Sequence, residues 1–445
     1  MADPEPGKGM SLRVHAVALC LALLGAGSMV DYHLGLFVPR VLAARSAQGL
    51  GNGFSFGDDF YPIWLTTRQW HSVHRDPYSA AMTREIQTGL FGRALDATRP
   101  SDPPADYRTF AYPAFTDLVL WPSAEVGFPH LRVVLAVLLP LLTAASVWLW
   151  MLALDWRAGP VHFAILVLVM LCNYPVLEGF FAEQPGLIVG FLLASSALAL
   201  RKKRLLPAGS FMALTLMKPQ MTLLAIFYLL IWSLAERRRA RFWVGFLATL
   251  LTLMSASLWI WPRWIGQWLK VIFEYPRYAM PALVSLLSGS ALGGYVGPAA
   301  LVGLLGVGVW LAWRNRRANS DSPDFWWTIS LLLAITSVTL LPGQAIYDQV
   351  ILFPAIMLVT KNARKLRGAG FVPRILLAAG AVVLFWPWVA AFGLIVARPL
   401  LPLAQFESTA IFALPIRTAA SLPFAALALL VYVGRVSAIG NRAPS

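Results

Sequence analysis

Apolar runs of about 17–25 residues, nearly free of charge, recur from residue 12 to residue 434, and that length spans a hydrocarbon core as α-helix. Inside a bilayer no water satisfies a bare N–H or C=O, so such runs must be helical. Composition agrees: 58% of the residues are hydrophobic, 13% are charged, and the mean hydropathy is +0.66. A soluble domain carries about 25% charged residues. The chain reads as an all-α, polytopic integral membrane protein.

The formal charge of +15 does not point to nucleic acid, because the cations gather in short loops between apolar runs. Arg201-Lys202-Lys203-Arg204, Arg237-Arg238-Arg239 with Arg241, and Arg314 with Arg316 and Arg317 are three such loops. Lys361, Arg364, Lys365 and Arg367 make a fourth. This is the positive-inside pattern. If all four loops face the cytoplasm, the runs between them pair into twelve spans near 12–30, 128–154, 160–176, 184–200, 205–218, 219–235, 241–261, 290–313, 325–341, 346–360, 372–396 and 413–434. Both termini then lie inside, as tails 1–11 and 435–445 around one transmembrane domain, 12–434. The first run resembles a signal peptide, but without a small-residue cleavage site it reads as an uncleaved anchor. Cys20 and Cys172 both lie in apolar runs and suggest neither a disulfide nor a metal site.

This threading leaves three long segments on the outer face, 31–112, 173–186 and 262–289. In the third, Trp264, Trp268, Phe273, Tyr275 and Tyr278 interleave with Arg263, Lys270 and Arg277, the mixture expected of a helix in the headgroup region. Residues 58–75 also read as a membrane-surface stretch. The piece 113–127 is too short to cross and reads as re-entrant or interfacial. No Walker A or dinucleotide fingerprint is present, and no internal repetition stands out.

Ionisable groups at membrane depth cost about 2.5–3.5 kcal/mol at a helix centre, so the ones retained are informative. Asp58 and Asp59 follow the first span. Two adjacent carboxylates repel unless a cation or proton is shared. Either can act as general base toward a hydroxyl or cap the helix from Phe60 onward. Glu183 and Gln184 open a span, with Pro185 in its first turn. Lys218-Pro219-Gln220 interrupts two apolar halves: the lysine either snorkels to the interface or holds a phosphate as a point charge. Gln344, Tyr347, Asp348 and Gln349 begin a further span. His71 and His74 stand three apart near the acids, without the context of a metal motif.

These stretches, "DDFYPIWLTTRQWHSVHRDPYS", "FAYPAFTDLVLWP" and "EQPGLIVGFLLASSALALRKKRLLPAGSFMALTLMKPQ", resemble glycosyltransferase family 87 in that order. The family's type members are actinobacterial mannosyltransferases. The resemblance implies a GT-C fold and an enzyme of the bacterial inner membrane with its site toward the periplasm. It implies a polyprenyl-phosphate sugar as donor, a lipid or glycan hydroxyl as acceptor, inversion at the anomeric carbon, and no metal or other cofactor. The catalytic base falls on Asp59 or Asp58. Lys218, with Gln220 and Arg277, would bind the donor phosphate. Glu183, Gln184, Tyr347, Asp348, Arg68 and Tyr112 would contact substrates. Two departures stand out: Tyr347-Asp348 occupies the place of a family histidine, and "HRDPYS" lacks the family's glycine before Pro77-Tyr78. Membrane lipids are the surroundings, and a monomer is expected. The competing readings are a transporter or lipid-linked-sugar flippase, which calls for paired sites in two repeated halves, and a non-catalytic assembly subunit.

Overall fold

The computed structural model describes residues 12–50, 59–100, 102–104, 107–274, 280–288, 293–343, 345–400, 402 and 410–440. Among them there is no strand beyond an isolated bridge between Pro281 and Pro342. Six helices are long and apolar enough to cross a membrane: Arg13–Ala47, Phe128–Ala153, Arg237–Ile260, Gly294–Arg314, Phe371–Leu400 and Leu414–Gly434. The pair Pro160–Leu171 and Tyr174–Phe181, bent by 61°, makes a seventh if it is one broken span. Large apolar side chains on their outer faces, such as Leu141, Leu251 and Trp259, are exposed, as lipid-facing side chains are. The protein is all-helical and membrane-embedded.

The remaining apolar runs form shorter helices, Pro185–Arg201, Leu205–Met217 and Leu223–Leu234, with Pro323–Thr339 and Phe353–Lys361. Helix length alone therefore identifies six or seven crossings rather than twelve. Two expected boundaries also move. The first helix runs on to Ala47 through a π-helical stretch, Tyr32–Phe37. The run 160–176 is not straight: Asn173 caps a new helix by accepting the Val176 N–H, with Pro175 in its first turn.

The basic loops meet at one rim. Arg201 lies 3.1 Å from Asp155 and 3.6 Å from Asp321. Lys203 pairs with Asp321 at 2.5 Å. Arg239 donates to the Arg316 carbonyl at 3.2 Å, and Lys361 to the Leu154 carbonyl at 2.7 Å. From that rim Leu205–Met217 rises 13 residues, about 20 Å at the α-helical rise, and Leu223–Leu234 returns. Thirteen residues are fewer than the roughly 20 that span a 30 Å core, and Lys218 stands at the turn. The hairpin beds against Ala240–Ile260 through two glycines. A Cβ on Gly209 would stand 2.1 Å from the Phe242 carbonyl oxygen, and one on Gly245 2.1 Å from that of Leu206. Small residues let membrane helices approach backbone to backbone.

Above the hairpin, residues 59–125 form a packed cap. In the helix Tyr61–Val73, Ile63, Leu65, Thr66 and Thr67 are buried. The Thr66 hydroxyl donates to Asp117 at 3.2 Å and the Trp64 indole to the Val126 carbonyl at 2.9 Å. The segment 113–127 covers the face that the apolar positions of this helix present. The helix Trp264–Glu274 packs on the cap by one edge. Trp264 is buried and Phe273 is 80% exposed, while Gln267 donates to Asp76 at 2.7 Å and Trp268 to the Ala111 carbonyl at 3.1 Å. One edge thus holds the cap and the other is left for lipid.

Candidate active site

Asp59 precedes the helix Tyr61–Val73, whose N-cap position is Phe60, with no side-chain cap and Pro62 in the first turn. A proline there needs no N–H partner, so the Asp59 carboxylate is not used as a cap. Its backbone N–H donates to the Ala182 carbonyl at 3.2 Å, which docks it against the turn leading into Pro185–Arg201. Its two oxygens accept hydrogen bonds from Arg108 and from the Gln184 amide.

Gln184 is fixed by its neighbours. Glu183 takes a left-handed backbone, φ 51°, and Pro185 starts the helix, so the amide projects from the helix entrance. Its oxygen accepts from Lys218 Nζ at 2.9 Å. Lys218 stands where the hairpin is broken, at φ −138° and ψ 73°, between the 3-10 turns Thr215–Met217 and Pro219–Met221. The Thr215 and Thr222 hydroxyls, 2.9 Å apart, staple the two sides of the break. Lys218 Nζ also donates to Asp348 Oδ1 at 2.6 Å and lies 5.0 Å from the centre of the Tyr347 ring.

One continuous chain results: Arg108, Asp59, Gln184, Lys218, Asp348. It joins five segments that are remote in sequence. Its two ends differ in exposure. The side chains of Arg108 and Asp59 are 19% and 12% exposed, those of Lys218 and Asp348 7% and 1%. Removing two charges from water costs several kcal/mol per ion, and the pair persists because each partner compensates the other. Gly186 makes room for it, since a Cβ there would lie 2.5 Å from Asp348 Oδ1 and 3.4 Å from Lys218 Nζ. Arg132 reaches the buried Glu183 at 3.4 Å beside the chain. An acid at the wetter end and an ammonium at the drier end suit proton removal at one and anion binding at the other.

Of the residues singled out in the sequence, Asp59, Gln184, Lys218, Tyr347 and Asp348 come together, with Glu183 adjoining. Gln220 is half-buried in the turn after Lys218. Tyr112 is half-buried in the cap, and its carbonyl accepts from the Tyr78 hydroxyl at 2.7 Å. Arg68 is exposed on the helix Tyr61–Val73 and lies over the Trp64 ring. Its place on the helix explains this, because the buried side is taken by Leu65, Thr66 and Thr67. His74 is the exposed, left-handed C-cap of the same helix. Asp58, Arg277 and Gln344 lie outside the described residues.

Sequence reading missed Arg108 and Arg132. Arg132, a cation one turn inside an apolar run, carried a signal in its position. Arg108 sits in an irregular loop with nothing in the local pattern to mark it.

The model of glycosyltransferase family 87 matches residues 110–342, just over half of the chain's 445 residues. The chain belongs to glycosyltransferase family 87. It is therefore a membrane glycosyltransferase, with a sugar donor and an acceptor as substrates. The range matched to family 87 contains Glu183, Gln184 and Lys218, and the contacts above attach Asp59, Arg108 and Asp348 to them from outside it. No curated protein matches the chain.

Proposed function

We propose that this family 87 member transfers a hexose from a polyprenyl-phosphate donor to a hydroxyl of a lipid or cell-envelope glycan, on the extracytoplasmic face of a bacterial inner membrane, within a GT-C fold. Mannose is the sugar that the resemblance to the family's type members favours. The observation that carries the reading is the unbroken chain from the Asp59 carboxylate through Gln184 to the buried Lys218 ammonium.

In this mechanism the acceptor hydroxyl approaches Asp59 and gives up its proton to the carboxylate. The acceptor oxygen forms its bond to the anomeric carbon as the bond from that carbon to the phosphate oxygen breaks. A single displacement of this kind inverts the anomeric centre. Polyprenyl phosphate leaves with the electron pair, and Lys218 stabilises the charge gained by its oxygen. The place of Lys218 between two apolar helices supports a donor whose phosphate arrives on a lipid. The common rim of the basic loops supports an orientation with that rim in the cytoplasm and Asp59 outside. No step of the scheme calls for a metal.

The test is direct. Purified protein is incubated with labelled polyprenyl-phosphate sugars and a membrane extract as acceptor. Transfer of label with release of polyprenyl phosphate is expected, and absence of release with every sugar tried contradicts the reading.

A further inference from the structure

We propose that Arg108 masks the Asp59 base while the donor site is empty and moves to the donor phosphate when the sugar lipid binds, which unmasks the base. The inference rests on the reading of Asp59 and Lys218 given above.

A general base needs a lone pair directed at the proton it removes. Here one Asp59 oxygen accepts from Arg108 and the other from Gln184. The Gln184 amide cannot leave cheaply, because it is buried and its oxygen is held by Lys218. Of the two bonds, the one to Arg108 is therefore the one that can exchange.

Charge leads to the same residue. Arg108, Lys218, Asp59 and Asp348 sum to zero, and a phosphodiester adds one negative charge. Among the described residues of the chain of contacts, two cations can meet it, Lys218 and Arg108. Drawing Lys218 off Asp348 strands a fully buried carboxylate whose Oδ2 has no hydrogen-bond partner among the described residues. Drawing Arg108 off Asp59 leaves a carboxylate that is partly open, still bonded to Gln184, and facing the hydroxyl it is to deprotonate. The guanidinium fork also matches two phosphate oxygens, which an ammonium does not. Arg108 is delivered from a left-handed backbone, φ 67°, in a loop rather than a helix, so small rotations re-aim it.

With the donor in place, Lys218 and Arg108 both face the phosphate. The acceptor proton passes to the vacated oxygen of Asp59, the bond from carbon to phosphate oxygen breaks, and the electron pair leaves with the phosphate. Arg108 is thus a positioning residue for the base and a donor-binding residue in turn. Among the described residues, Gln184 also bonds Asp59, with Lys218 and Asp348 reached through it and the Glu183–Arg132 pair adjoining.

The test sets the donor KM against the acceptor KM. In Arg108→Ala the donor KM rises about 10–100-fold, the loss of a charge-assisted contact, while the acceptor KM is unchanged. Arg108→Lys recovers part of the donor KM. Should the alanine variant fold poorly, Arg108→Gln serves for the same measurements. An unchanged donor KM means that Arg108 stays on Asp59 through turnover and overturns the exchange. Absence of transfer by the wild type instead overturns the underlying assignment, so the two failures are told apart.

Discussion

At Gly186 the fold leaves no space for a methyl group, because the position a Cβ would take lies 2.5 Å from Asp348 Oδ1. Gly186→Ala is predicted to push the Lys218–Asp348 pair apart and to destabilise by about 1–3 kcal/mol, the usual cost of overpacking, with at least tenfold lower transfer. Gly303→Ala, where nothing lies within 4 Å, is the control, and equal behaviour of the two variants contradicts the account. The pair itself is tested by a double-mutant cycle read by thermal unfolding. Lys218→Met and Asp348→Leu should each cost about 3–5 kcal/mol by stranding a buried charge, while the double variant recovers most of that loss. Additive costs exclude the pairing. In sequence Lys218 and Asp348 were both visible as polar residues among apolar ones, yet their contact was not. Nothing in a local pattern states that residues 130 positions apart share a proton donor and acceptor. Arg108 was invisible for a related reason: its role comes from where its loop is carried, not from what surrounds it in the chain.

At the scale of elements, hydropathy marks a span well where the helix is straight and poorly where it breaks. The run through Cys172 reads as one span, but Asn173 and Pro175 restart the helix at 61° to the first part. Those two residues are a start signal that a window of average hydropathy smooths over. The described residues that follow the helix Ala80–Phe91 show the opposite case, in which charge ties together an irregular stretch. Arg93 grips Asp102 at 2.5 and 2.6 Å. That guanidinium and the Asp96 N–H hold the Asp102 carboxyl down to about 2. A carboxyl lowered on folding stabilises above its unfolded value and loses that contribution as pH falls through the folded one. The melting temperature of Asp102→Asn is therefore expected below that of the wild type at pH 6, with the gap closing between pH about 4 and about 2. A gap independent of pH contradicts the clamp.

For the whole molecule, two gatherings define the account. Four basic loops meet at one rim, and polar residues from five other parts of the chain meet where a hairpin of short apolar helices turns. The first is legible as a charge pattern. The second follows from packing that brings glycines, prolines and broken helices into register, which composition does not encode. The chemistry assigned to this second gathering depends most on Asp59. The decisive measurement is transfer of label from a polyprenyl-phosphate sugar by the purified wild type and by Asp59→Asn at matched folding and amount. The account predicts an inverted product from the wild type and a rate about 100–10,000-fold lower from the variant, the range for loss of a general base. Equal rates from the two proteins contradict it.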